Sequence, residues 1–274
     1  MKRIYAFMLS LVMALTLTAC GGSEPEQASH KTVENKTIVI TGKDYNDTGE
    51  LEDYEAEGQY TGQVLAGVPD GEGTFTCQNS KGVTWSYSGE FKNGTFHGKG
   101  ETVWDTGWRE CGTYTDGLFT PNTFELFDSI SKVREPKYSI SQENQTFMES
   151  NLDLFPAETE EAKVSMDTFI QDDLTYPMMD KTLDGLEGKL YHCGSALATQ
   201  VVQDETFGHT ITYIICCDSD YNYYYLCYDG ALPDVYAETG IEFVGLPVSR
   251  SSYSNVGGGT TNVIVLIACS VTTI

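Results

Sequence analysis

Tyr87-Ser88-Gly89-Glu90-Phe91-Lys92-Asn93-Gly94-Thr95-Phe96-His97-Gly98-Lys99-Gly100 is the stretch that decides the fold. Tyr87, Gly89 and Phe91 lie two apart and so share one face of a strand. Asn93-Gly94 supplies a two-residue turn, because both residues tolerate positive φ. The stretch therefore reads as a β-hairpin. An earlier copy has Tyr60-Thr61-Gly62-Gln63-Val64, then Gly67, Pro69, Gly71 and Gly73. A later copy has Gly112, Tyr114, Asp116 and Gly117. Gly89 and Gly112 stand 23 residues apart, as do Gly94 and Gly117. Gly62 to Gly89 and Gly71 to Gly98 are each 27, so the first unit carries four extra residues, placed around Gln78-Asn79-Ser80-Lys81. A fixed period of this size predicts a stacked array of hairpins.

The Tyr-x-Gly-x-Phe-x-Asn-Gly core followed by Gly-x-Gly resembles the MORN repeat, across residues 58–122. The first unit has Val64 in place of the usual aromatic. The third has Glu110 where the leading tyrosine belongs and Pro121 where the next glycine pair would begin, so it reads as a terminal cap. The resemblance implies a sheet that acts as a spacer, a protein-binding surface or a lipid-binding surface. Tyr60, Trp85, Tyr87, Phe91 and Tyr114 are the candidate binding aromatics on it. The alternative is that these rings only join neighbouring hairpins.

The N-terminus has the layout of an export signal. Met1-Lys2-Arg3 is basic, Ile4 to Leu17 is apolar, and small residues follow. Leu17-Thr18-Ala19-Cys20-Gly21 resembles the bacterial lipobox. That resemblance implies removal of residues 1–19 and a diacylglycerol thioether on Cys20, with anchoring at the extracytoplasmic face of the cell membrane. An ordinary signal with a coincidental cysteine is the alternative. Two acyl chains suffice for stable anchoring where one does not. Residues 20–57 read as a flexible tether, polar and proline-bearing at its start and acidic from Asp44 to Glu57. Within it, Thr37-Ile38-Val39-Ile40-Thr41 forms an isolated strand at most.

The net charge is −24, and loss of the signal discards Lys2 and Arg3, making it more negative still. Such a surface repels nucleic acid and anionic headgroups. The acidity also serves solubility without any partner. After Cys20 seven cysteines remain, with no Cys-x-x-Cys among them. The strong zinc and redox spacings are therefore missing. Mostly free thiols are expected, although an exported chain is free to form disulfides.

Residues 123–188 read as a helical connector against the last domain. Phe124, Phe127, Ile130 and Val133 have helical spacing. Ala157 to Gln171 is expected to be a helix with Pro156 at its start, and Pro177 to Leu186 a shorter one. From residue 189 to 274 five strands are expected: 190–202, 210–217, 221–228, 241–248 and 262–272, with a turn or helix at 231–235. They predict a small closed barrel. Gly194-Ser195-Ala196-Leu197-Ala198-Thr199-Gln200-Val201, Phe243-Val244-Gly245 and Tyr253-Ser254-Asn255-Val256-Gly257-Gly258 resemble the OB-like C-terminal domains of Gram-positive lipoproteins. Thr239-Gly240 and Thr260-Thr261-Asn262 depart from that pattern. Tyr221, Tyr223, Tyr224, Tyr225 and Tyr228 could stack on bases, but from Leu190 to the end there is one basic residue, Arg250, against eight acidic ones. It lacks the cationic groove that nucleic acid requires. Alternation puts Tyr223 and Tyr225 on one face and Tyr224 on the other.

Three weaker signals have plain structural readings. Ser129-Ile130-Ser131-Lys132 satisfies Ser-x-x-Lys, without the companion motifs. Asp218, Asp220 and Asn222 copy the start of a calcium loop, but its central glycine and final glutamate are missing, and a hairpin turn is expected. His97, His192 and His209 have no nucleophile or carboxylate at diagnostic spacing. No cofactor, metal or catalytic site is expected. The sequence thus predicts a mainly β chain, with MORN-type hairpins, a short helical connector and a five-stranded OB-like barrel. It reads as a non-catalytic scaffold that binds an envelope protein. A small-molecule or glycan-binding protein is the alternative, and an unrecognised hydrolase is a third.

Overall fold

The computed structural model describes residues 29–46, 49–254 and 258–274. The expected signal and lipobox, with Leu17, Thr18, Ala19 and Cys20, lie outside the described residues.

β1 (Lys31–Tyr45), β2 (Leu51–Leu65), β3 (Val68–Gln78), β4 (Thr84–Lys92), β5 (Thr95–Trp104), β6 (Arg109–Thr115) and β7 (Leu118–Phe119) form one sheet in chain order. Every pair is antiparallel. The repeated hairpins are β2–β3, β4–β5 and β6–β7. Asn93 and Gly94 have φ of 51° and 85°, and Asp116 and Gly117 have 49° and 84°, as two-residue turns require. Each tip bonds to the previous hairpin: the Gly94 N–H donates to Pro69 O and the Gly117 N–H to Phe96 O, both at 2.9 Å.

The flexible tether expected at residues 20–57 is corrected over its described part. β1 pairs with β2 along almost its whole length, from Lys31 opposite Val64 to Tyr45 opposite Leu51. The reason lies in the alternation that the acidic composition conceals. Asp53, Glu55 and Glu57 are exposed, whereas the intervening Tyr54, Ala56 and Gly58 turn inward. On β1, Ile40 is wholly buried. The strand is thus part of the sheet and not isolated. The sheet also curls, since the Lys43 N–H on β1 donates to Gly117 O at the far end, 3.1 Å away.

The connector holds four helices: α1 (Thr123–Ser131), α2 (Gln142–Ser150), α3 (Glu160–Asp167) and α4 (Tyr176–Lys181). The expected helix at 157–171 is shorter at both ends. Its N-cap is Thr159, whose hydroxyl accepts the Ala162 N–H at 3.1 Å. Pro156 lies outside it because the Ala157 N–H is already bonded to Cys269 O at 2.9 Å.

β8 (Tyr191–Thr206), β9 (His209–Cys217), β10 (Tyr223–Asp229), β11 (Gly240–Ser254) and β12 (Thr260–Thr273) close into a barrel in the order β10-β12-β11-β8-β9. β10 and β12 run parallel, with Tyr224 opposite Ile264. Residues 231–235 are a turn and not a helix. Tyr224, Leu226, Ile214, Phe243 and Leu266 belong to the inner core. Tyr225, Cys227, Ile215, Val265 and Ile267 belong to a second core with Phe127, Ile130, Met148 and Phe155 of the helical layer. The barrel is therefore apolar on both faces along β9 to β12, which is why these strands read as continuous hydrophobic runs, whereas β8 is exposed on its outer side. All seven cysteines of the described residues are free thiols.

Candidate functional site

Cross-strand register places Tyr60, Phe75, Tyr87, Thr102 and Glu110 side by side on β2 to β6. Three rings are followed by a hydroxyl and a carboxyl. The neighbouring row holds Cys77, Trp85 and Trp104, with Trp108 next to Trp104 across the β5–β6 turn. These rows line the concave face of the curled sheet.

Where the rings are present they interlock. Tyr87 stacks on Phe96 at 3.8 Å and meets Phe91 and Tyr114 edge-on at 5.1 Å. Tyr60 meets Phe91 edge-on at 5.0 Å. Each tyrosine ring lies over a glycine on the next strand, Gly73 or Gly100. A Cβ at Gly73 would come within 2.6 Å of the Tyr60 ring. The tyrosine hydroxyls turn back to the chain, with Tyr60 donating to Gln63 O at 2.6 Å and Tyr87 to Glu90 O at 2.8 Å.

Residues 60–81 and 87–109 match the MORN repeat family. No curated protein matches the chain. The two matched MORN units are those with a leading tyrosine. The third unit carries Glu110 instead, and its consequences organise the site.

The five candidate binding aromatics are buried: Tyr60, Trp85, Tyr87, Phe91 and Tyr114 are between 0% and 8% exposed. The expectation that they present rings to a partner is corrected. Most of their ring faces are occupied by each other and by Phe75 and Phe96. The convex face of the MORN sheet carries exposed polar side chains such as Thr74, Thr76 and Ser88.

At Glu110 the interlock stops. The Glu110 carboxyl accepts the Tyr114 hydroxyl at 3.2 Å and the Trp108 indole N–H at 3.5 Å. Tyr114 also lies 2.7 Å from Thr102 Oγ1. Glu110 as a whole is half-buried. Desolvation, then the Asp44 charge, pushes that carboxyl up to about 8, against the lowering effect of the Trp108 and Tyr114 hydrogen bonds. Beside it lies an inner cavity of about 550 Å³, walled by Tyr54, Trp85, Trp104 and Tyr114, with Glu110 and Asp44 on its border. Asp44, Trp104 and Glu110 are shared with a wider cleft of about 1070 Å³ that opens towards the barrel. The far wall of that cleft is the β8–β9 tip, residues Gln203 to Gly208.

The barrel closes onto the sheet through this tip. Phe207 meets Phe119 edge-on at 4.9 Å and Trp108 at 5.7 Å. Phe119 is one period after Phe96, which Tyr87 covers. A ring from the barrel thus covers Phe119 in the unit where the leading tyrosine is missing. Beside it, His209 Nδ1 lies 3.0 Å from Asp229 Oδ1, and this hydrogen bond, more than the Asp229 charge, raises the His209 imidazole against burial. The Thr123 hydroxyl at the start of α1 lies 3.0 Å from Asp229 Oδ2.

The weaker sequence signals resolve structurally. Ser129 Oγ accepts the Cys111 N–H at 3.1 Å, and Lys132 reaches Tyr138 O, so they do not form a nucleophile pair. Asp218 accepts the N–H groups of Asp220 and Asn222 at 2.9 Å and 3.0 Å, making the expected hairpin turn. Among the described residues no cluster of metal-ligating side chains is present. Asp44, Trp104, Trp108 and Phe207 were not singled out from the sequence. One signal was available: all three tryptophans fall between residues 85 and 108, shortly before the glutamate that breaks the pattern.

Proposed function

We propose that the chain is a lipid-anchored, non-catalytic binding protein of the cell envelope. Cys20 holds it at the outer face of the membrane, and it recognises another envelope protein at the cleft between sheet and barrel. The cleft itself carries this reading. The concave rings of the MORN sheet are consumed by their own core, so Trp108, Trp104 and Phe207 at the mouth are the accessible aromatic edge. Aromatic residues are enriched among the anchors of protein recognition, which sit in pockets that a partner desolvates. MORN repeats generally serve protein or membrane interaction, and the five-stranded barrel is read as OB-like, a fold that hosts binding surfaces. The acidic surface disfavours nucleic acid as the partner.

Affinity purification of the tagged, lipidated protein from envelope extract tests the reading, with Thr106→Arg, at an exposed position of the cleft, in parallel. A partner recovered with the parent and lost with the variant supports it. Equal recovery with both, or none with either, counts against it.

A second reading, a small-molecule-binding protein, is favoured by the inner cavity. The barrel interior is filled by Tyr191, Tyr224, Ile214, Phe243 and Leu266 and offers no such space. A ligand would therefore sit in the sheet.

A further inference from the structure

We propose that the inner cavity of the curled sheet binds a small organic ammonium group, which the Glu110 carboxylate neutralises beside the half-buried ring of Trp104. The inference rests on the small-molecule reading and names the ligand class.

Three observations converge on this class. The walls are aromatic. Trp85 and Trp104 lie 6.3 Å apart with their planes 33° from parallel, and Tyr54 and Tyr114 complete the wall. Indole faces attract cations and are the strongest side-chain partners for quaternary ammonium. The charge at the cavity is acidic, with Asp44 and Glu110 joined at the rim by Glu55 and Glu57, and Lys43 as the single cation. Across the mouth Asp204 and Glu205 add to the same sign. Anions are thereby repelled. Finally, the neutral polar groups inside are committed to one another. Tyr114 is shared by Thr102 and Glu110, so its hydroxyl is not available to a glycan.

Desolvation pushes the Glu110 carboxyl up to about 8. The titratable and charged groups around it are Lys43 and Asp44 from β1, Tyr54, Glu55 and Glu57 from β2, Cys77 from β3 and Tyr114 from β6, with Thr102 opposite it on β5 and the Trp108 indole on its carboxyl. Lys43 is the one cation among them, against four carboxyl groups. An arriving ammonium adds positive charge and favours the ionised carboxylate. Binding below that pH therefore releases the Glu110 proton to solvent, and affinity rises with pH until the carboxyl is already ionised.

Titration with choline chloride, in parallel with its uncharged isostere in which carbon replaces the quaternary nitrogen, reads the site through tryptophan emission. The chain has 3 tryptophans, and all line the cavity or its mouth. Choline should bind at least about tenfold tighter than the isostere. Its affinity should increase several-fold from about pH 6 to about pH 8, and Glu110→Gln should remove both effects while melting as a folded protein. The pH dependence in the parent stands without any variant. Equal affinity for the two ligands overturns the ammonium assignment and leaves a small-molecule site in place. No response to either also overturns it, and a metabolite and glycan thermal-shift panel then decides the small-molecule reading separately.

Discussion

The Glu125 carboxylate on α1 accepts the backbone N–H of Thr113 on β6 at 3.2 Å. The same side chain accepts the Asn122 N–H at 3.0 Å, the Thr113 hydroxyl at 3.2 Å and the Lys99 ammonium. It is 3% exposed. One carboxylate thus caps the first helix and fixes it to the last full strand of the sheet, over Gly112, where a Cβ would lie 2.6 Å from the Glu125 carboxyl carbon. Removing it strands two backbone donors. Glu125→Ala is expected to cost about 3 kcal/mol, and Glu125→Gln, which keeps an acceptor, roughly half of that. Urea midpoints at constant slope check both.

The join between sheet and barrel depends on a strained residue. Phe207 has φ of 54° at the tip of the β8–β9 hairpin, a conformation that non-glycine residues adopt at a cost. Its ring contacts with Trp108 and Phe119 offset that cost. Phe207→Ala keeps the backbone cost and loses the rings, so it should destabilise the join by about 2 kcal/mol. Amide exchange should quicken in residues 203–211, while Tyr224, Leu226 and their β12 partners stay protected. Unchanged exchange at the tip would show that these rings do not hold the two units together.

Stability should fall as pH rises through the range where Glu110 ionises. Its folded carboxyl titrates at about 8, against an ordinary 4.5. Between these values the folded state holds a proton that the unfolded state has lost. The stabilisation is complete below the ordinary value and disappears as pH approaches the folded one. Glu110→Gln removes this dependence and should exceed the parent in stability by about 1–3 kcal/mol near pH 8, with little difference near pH 4. His209, raised chiefly by its hydrogen bond to Asp229, has the same sign, but parent and variant share it. Melting temperatures across that range decide the matter. A gap that does not widen with pH contradicts the environment assigned to Glu110.

Anchoring is tested apart from the fold. Cys20→Ala should fail to incorporate a fatty-acid analogue and should leave the membrane fraction. Continued labelling of the variant would remove Cys20 from the account.

The hairpins were legible because their signal is local. Tyr87, Gly89 and Phe91 alternate, and Asn93-Gly94 turns the chain within one window. The five barrel strands were legible as apolar runs, and the opposite facing of Tyr224 and Tyr225 followed from their adjacency. β1 and the start of β2 were not. Their exposed positions carry so many charges that composition outweighed the alternation of Tyr54, Ala56 and Gly58. α2 was missed because its sequence is polar, with only Asn144 and Met148 buried. Glu110 was visible as a departure from the repeat. Its role was not, because the cavity exists only once the sheet curls and brings Asp44 and Tyr54 across from β1 and β2. The aromatic rows illustrate the converse. Their spacing showed that they share a face, but a shared face is equally compatible with a core.

The location of recognition is the central claim. A photo-crosslinking residue at Thr106 or Gln203 sits on the cleft between sheet and barrel, whereas one at Thr74 or Ser88 sits on the convex face of the sheet. Crosslinking in intact cells should capture one envelope protein from the first two positions and not from the other two. Capture confined to Thr74 and Ser88 would contradict the account.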